Sequence, residues 1–343
     1  MKSDRFKQIT ARYASLRVAI VGDFCLDRYF DIDPARQEIS IETGLPVHNI
    51  VRVRCQPGAA GTILNNLVAL GAGRIFPIGI CGDDGEGFEL RRSLEACART
   101  DVSLFVKSSQ RRTFTYTKPL VFNPGKPPEE LSRLDIKNWT PAPEALQHEV
   151  IAAMRQAAPQ VDAMILLDQV DVAETGVITG KVLQAARSII AEHPNLFVIA
   201  DSRRGLNGYP QVALKMNRAE LAAMVGHVPR EIAHIRKAAT HLAASHGKPV
   251  FITLAERGIV GAAPGSQAIH RDALPLRGEI DIVGAGDSVT ANLTAALAAG
   301  AQIEEALELA VASSSIVIHQ LGTTGTASVP EIESLMAGRG LLV

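Results

Sequence analysis

The chain has 343 residues, 47% of them hydrophobic, enough apolar matter for a substantial buried core. Its 35 Lys and Arg against 36 Asp and Glu give a formal charge of −1, so no basic excess points to a nucleic acid or an anionic membrane as partner. No uncharged apolar run reaches the roughly 18 residues of a membrane span, and the N-terminal MKSDRFKQIT is charged where a signal peptide is apolar.

In chain order, Val18 to Val21 reads as a strand running into Gly22 and Asp23. Leu45 to Arg54 alternates polar and apolar residues, as half-buried antiparallel strands do. Helical patterns follow at about 58–70 and 86–98, and Arg112 to Phe122 alternates again. After Pro-rich loops come a helix at about 144–158, a strand from Ala163 to Leu167 ending on Asp168, and a helix at about 177–192. A strand from Leu196 to Ala200 ends on Asp201, and a helix at about 230–245 precedes the strand Val250 to Leu254. This rhythm predicts an α/β fold with a mainly parallel sheet covered by helices, as a single domain over 1–343. The two alternating segments predict either ordinary edge strands or a small β lid, formed by about 28–54 and 107–123. Such a lid is also a surface for a homodimer. Four cysteines (Cys25, Cys55, Cys81, Cys97) show neither metal-ligand spacing nor disulfide density, which fits a reducing, cytoplasmic setting.

Asp23, Asp168 and Asp201 each follow an apolar strand. Ligands in open α/β sheets sit beyond the carboxyl ends of the strands, although each Asp alone is also a turn or cap residue. The most informative stretch is Asp281 to Gly300, DIVGAGDSVTANLTAALAAG. Val289, Leu293, Ala296 and Leu297 keep a helical period, so a helix starts near Ala285 to Asp287. Gly284, Ala285 and Gly286 put small residues where the first backbone amides lack intrahelical partners. Such a turn admits an anion, which the helix dipole favours. Asp287 stands in the first turn, either as a base for a hydroxyl proton or as an acid that merely suits a helix start.

The octet Asp281 to Ser288 resembles the C-terminal signature of the ribokinase-like, or PfkB, carbohydrate kinases. The resemblance implies a three-layer α/β sandwich with a mostly parallel central sheet and a small β lid. It implies that Gly284, Ala285 and Gly286 form an anion hole, that Asp287 is the catalytic base, and that ATP and Mg²⁺ are used, with a monovalent cation as a further candidate. The similarity extends from about 16 to 330. Val21 to Tyr29 and Ser132 to Asp135 are similar to the kinase half of bacterial heptose-phosphate kinase/adenylyltransferases.

Within the resemblance, Asp27 binds sugar hydroxyls. Gly58, Ala59 and Thr62 occupy the family's Gly-Gly-x-x-x-Asn sugar loop, with Ala59 and Thr62 departing from the pattern. Arg133 meets a substrate phosphate or pairs with Asp135. Asn217 and Glu220 match an Asn-x-x-Glu motif that supports Mg²⁺ through water, and the same pair reads as a capping box. Thr253 and Gly258 line the ATP phosphates, and Gly322 belongs to a loop, His319 to Ala327, that closes over adenine. Asp83 and Gly87 match a turn. A Walker-type Gly-x-x-x-x-Gly-Lys-Ser/Thr sequence is missing.

These readings predict a sugar or sugar-phosphate kinase with a small-molecule acceptor. The rivals are a catalytically silent sensor on the same fold, a kinase for another sugar or a nucleoside, and a dinucleotide oxidoreductase, which lacks its Gly-x-Gly-x-x-Gly turn.

Overall fold

A computed structural model describes residues 1–343. Arg17–Gly22 is continuously buried after its first residue, as a strand covered on both faces must be. It pairs in parallel with Arg74–Ile78 on one side and Ala163–Asp168 on the other. Phe197–Ser202, Ala213–Asn217 and Val250–Thr253 extend the sheet in parallel, and Ile259–Ala262 and Ile269–Arg271 finish it antiparallel. The result is an eight-stranded, mostly parallel sheet.

Alternate residues of the first strand feed two separate cores. Val18 and Ile20 pack with Ile63, Leu67, Leu293 and Leu307, which lie on helices Ala60–Ala69, Ala285–Ala298 and Ile303–Val317. Ala19 and Val21 pack with Met154, Val182 and Ile235, which lie on helices Glu144–Ala157, Gly180–Glu192 and Ile232–His246. Helix, sheet and helix form the three layers that the two-residue side-chain period of a strand dictates. No helix is long and apolar enough to cross a membrane.

A second sheet has five strands in all. Its path runs Glu129–Glu130, Thr115–Val121, Phe24–Ile32 and Ile50–Ala59, with Leu134–Ile136 also paired to Thr115–Val121. It adds one strand and corrects one reading of the sequence. Phe24–Ile32, of which the sequence reading took only the part from about 28 into the lid, is a nine-residue strand at the centre of this sheet. The Arg112 to Phe122 segment is not wholly antiparallel, because Thr115–Val121 runs parallel to Phe24–Ile32 and antiparallel only to Glu129–Glu130 and Leu134–Ile136. The charges that interrupt the apolar pattern of Phe24–Ile32 are matched across the sheet: Asp31 accepts from Arg54 at 2.8 Å, and Asp27 faces Lys118 at 3.7 Å. Ile39, Ile41, Leu45, Ile50, Val51 and Val53 leave the edge of this region exposed and apolar.

Candidate active site

Helix Ala285–Ala298 opens on Gly284, whose φ of 83° is left-handed and suits glycine. No side chain caps this end. The amides of Gly284, Gly286 and Asp287 donate to no protein group, whereas the Ala285 amide donates to the Ile282 carbonyl at 3.2 Å. The turn therefore offers the amides of Gly284, Gly286 and Asp287 to a ligand, whereas that of Ala285, expected in the anion hole, is already taken by the protein.

Asp287, half-buried at this turn, is pushed up to about 7, first by burial and then by the negative charge of Asp201, with Lys215 opposing. Asp27 adds a further upward push, so the two carboxylates stand close enough to sense each other. Asp27 is buried on the facing sheet, where burial raises its pKa and Lys118 lowers it. A Cβ on Gly58 would lie 2.7 Å from the Asp27 carboxyl, so only glycine permits that approach. Ala59 takes φ 53° and ψ −115°, a backbone that favours glycine. Thr62 is buried, and its methyl group is 3.3 Å from where a Cβ on Gly284 would stand, with Thr324 at 3.6 Å. The sugar-loop residues and the glycine turn are thus brought together.

Asn217 and Glu220 form a capping box on helix Arg218–Val225. The Asn217 side chain accepts from Ala219 and Glu220 amides, and Glu220 accepts from the Asn217 amide at 2.7 Å. Glu220 is held up by burial and by Asp201, and pulled down by Lys215 and Arg203, which places it in the same charge field as Asp287. Both Glu220 oxygens already accept one hydrogen bond from Asn217, yet each carboxylate oxygen has a second lone pair. Nowhere do three His, Cys, Asp or Glu side chains gather as a metal cage. A hard ion that keeps most of its waters fits this donor set.

Thr253 is half-buried and donates to the Met216 carbonyl at 3.4 Å. Gly258 has its own structural reason: a Cβ there would strike the Arg271 carbonyl oxygen. Gly322 is left-handed at 73° with open space around it. Leu276, Ile280, Ile282, Val283 and Leu321 are exposed apolar residues in the segments that precede the turn and follow helix Ile303–Val317. His319 accepts from the Arg277 amide at 2.9 Å and meets the Ser315 carbonyl at 2.7 Å, so both ring nitrogens serve packing. Arg133 forms a two-point ion pair with Asp135 at 2.7 and 2.8 Å and lies over the Tyr116 ring.

Sequence reasoning overlooked two cations. Lys215, buried in the middle of Ala213–Asn217, pairs with Asp201 at 2.7 Å. Lys118 sits at Asp27. The signal for Lys215 was a lone lysine in an otherwise apolar run two residues before Asn217.

The family described as pfkB family carbohydrate kinase matches residues 17–330. The bifunctional protein HldE of Hyphomonas neptunium is 32% identical over 344 residues, covering 98% of this chain and 67% of that protein. The chain spans about two thirds of the length of the curated relatives it matches. Phosphofructokinase-2 from Escherichia coli in complex with potassium superposes with a TM-score of 0.70 at 19% identity, over 95% of this chain and 99% of that one. Arabidopsis thaliana ribokinase complexed with ribose and ATP superposes with a TM-score of 0.62 at 18% identity, over 94% of this chain and 98% of that one. The fold is therefore that of ribokinase-like kinases. With most of its length matched, this chain belongs to the pfkB family of carbohydrate kinases, phosphotransferases whose acceptor is a sugar hydroxyl.

Proposed function

We propose that this kinase transfers the γ-phosphoryl group of ATP to a phosphosugar, a heptose 7-phosphate or a close relative, with Asp287 as general base. One observation carries the reading: the Asp287 carboxylate stands beside the unpartnered amides of Gly284 and Gly286 and the Lys215 ammonium, while Asp27 faces it from the second sheet. Asp287 takes the proton of the acceptor hydroxyl as its oxygen bonds to the γ-phosphorus and the bond to the β-bridging oxygen breaks, releasing ADP. The amides and Lys215 meet the charge on the transferred group. Mg²⁺ supplies neutralisation of the phosphate charge, and Asn217 and Glu220 are suited to hold its waters. Asp27, Gly58, Ala59 and Thr62 frame the sugar; Thr253, Gly258 and Gly322 flank the nucleotide.

The heptose assignment is supported by Val21 to Tyr29 and Ser132 to Asp135, the segments similar to the heptose-phosphate kinase group. A cytoplasmic setting suits ATP chemistry and the free cysteines. The exposed apolar edge at Ile39 to Val53 supports a homodimer through the lid, to be read by gel filtration. The potassium complex of the Escherichia coli enzyme supports a monovalent-ion requirement, tested by comparing rates in potassium and tetramethylammonium salts. The deciding experiment measures ADP release from MgATP across matched sugars and phosphosugars. Turnover of the phosphoheptose supports the reading. A protein that binds such ligands and releases no ADP is the silent sensor that the altered Ala59 and Thr62 loop favours.

A further inference from the structure

Three cations, two of them flanking the strand Leu134–Ile136 and one following Phe197–Ser202, share two carboxylates near Asp27. Lys137 reaches Asp171 at 2.8 Å and Asp135 at 3.9 Å, Arg203 reaches Asp171 at 3.4 Å, and Arg133 holds Asp135. Arg133 and Lys137 also lie over the same Tyr116 ring, at 4.3 and 5.9 Å from its centroid. Strand register fixes where this group stands. Tyr116 pairs with Asp27 on one side and with Asp135 on the other, so the three side chains share one sheet face. Two strand spacings, about 10 Å, separate the ends of that row, the reach of one sugar ring with a phosphate at its far end.

The charges do not balance: three cations meet two acids. Arg203, 54% exposed at its side chain, and Arg133, at 44%, form ion pairs that contribute little to stability in water. Arg203 also lies near enough to Asp287 to lower its pKa, and Arg133 does the same to Asp27. The group therefore stands at the acceptor end of the cleft.

Building on the phosphosugar reading above, we propose that Lys137 and Arg203, with Arg133, form the subsite for the phosphate monoester that the acceptor already carries. Its dianion replaces Asp171 and Asp135 as the partner of these cations, and charge-assisted hydrogen bonds to it select phosphorylated over plain sugars. Asp171 and Asp135 hold the cations in place until then.

The test compares a heptose 7-phosphate with the same heptose lacking phosphate in steady-state kinetics of the full chain. Lys137→Ala and Arg203→Ala are each expected to raise KM for the phosphoheptose by about 10- to 100-fold, the range of one lost charged hydrogen bond. KM for ATP should stay put, and Lys137→Arg should restore most of the loss. Arg203→Ala, at an exposed position, keeps the test open if the Lys137 variant folds poorly. If the wild type favours the phosphorylated sugar and both variants keep its KM, the subsite is wrong while the phosphosugar reading stands. If the wild type is indifferent to the phosphate, both fall together.

Discussion

The Lys215 ammonium nitrogen lies 3.2 Å from where a Cβ on Gly286 would stand, so the cation is set against the turn that presents the free amides. Asp201 holds it there at 2.7 Å and also accepts from Thr290, one turn into the same helix, at 3.0 Å. In the proposed mechanism Lys215→Met removes a donor to the transferred group, and kcat should fall by about 10²- to 10³-fold, as for other lost transition-state donors. It also strands Asp201 as a buried charge, which costs about 3–5 kcal/mol. Pairing the change with Asp201→Asn should recover much of the melting temperature and none of the rate. Recovery of both would show that Lys215 acts only in folding.

Asp287→Asn keeps the shape of the helix start and removes the proposed base. Turnover should drop by about 10²- to 10⁴-fold, while ATP binding, read by calorimetry, stays near wild type. A variant with more than about half the wild-type rate would refute the base assignment.

The raised pKa of Asp287 fixes the sign of two pH effects. A base must be ionised to accept a proton, so kcat/KM should fall about tenfold per unit as pH drops below about 7. Asp201→Asn removes the like charge that raises Asp287 and frees Lys215 to lower it, so the acidic limb should move to lower pH. Stability runs the other way. A carboxyl whose folded pKa, about 7, exceeds its ordinary 3.8 favours the folded state at low pH, and that contribution is lost as pH rises through about 7. The melting-temperature gain of Asp287→Asn over wild type should therefore be larger at about pH 8 than at about pH 5. An equal gain at both would place the Asp287 pKa elsewhere.

The glycine turn was legible because Gly284 to Asp287 breaks an otherwise apolar helical pattern with small residues and one acid. The parallel core was legible because Val18 to Val21 and Ala163 to Leu167 are short, continuous apolar runs, which only doubly covered strands sustain. The strand Phe24–Ile32 was not. Asp27 and Asp31 interrupt its apolar pattern, and their partners Lys118 and Arg54 come from other strands. Lys215 stayed hidden for the same reason. A lysine in a buried strand makes sense only beside Asp201, 14 residues away. Pattern reveals faces and starts; charge compensation between distant segments needs the coordinates.

Asn217 and Glu220 combine a capping box with a suggested role at Mg²⁺, and one substitution separates the two. Glutamine also completes a capping box, so Glu220→Gln should leave the melting temperature within a degree or two. Loss of its charge should raise the Mg²⁺ concentration for half-maximal activity about tenfold, since hard cations favour charged oxygens. Asn217→Ala should instead cost about 1 kcal/mol through the cap. Unchanged Mg²⁺ dependence in Glu220→Gln would leave the pair a purely structural device.

Ala59 gives the last prediction, because its backbone and its site pull in opposite directions. At φ 53° and ψ −115° it holds a conformation that costs a non-glycine residue about 1–3 kcal/mol. Glycine there would relieve that strain, though it also gains freedom in the unfolded chain, at a cost of about 0.4–1 kcal/mol. The relief outweighs the cost, so Ala59→Gly should raise the melting temperature. Ala59 lies between Gly58, pressed on the Asp27 carboxyl, and the helix that carries Thr62. Removing its methyl group should widen the acceptor loop and lower discrimination among acceptors, measured as ratios of kcat/KM over the same sugar panel. A variant that is less stable and equally selective would mean that the alanine fits its place, and that selection of the sugar lies with other residues.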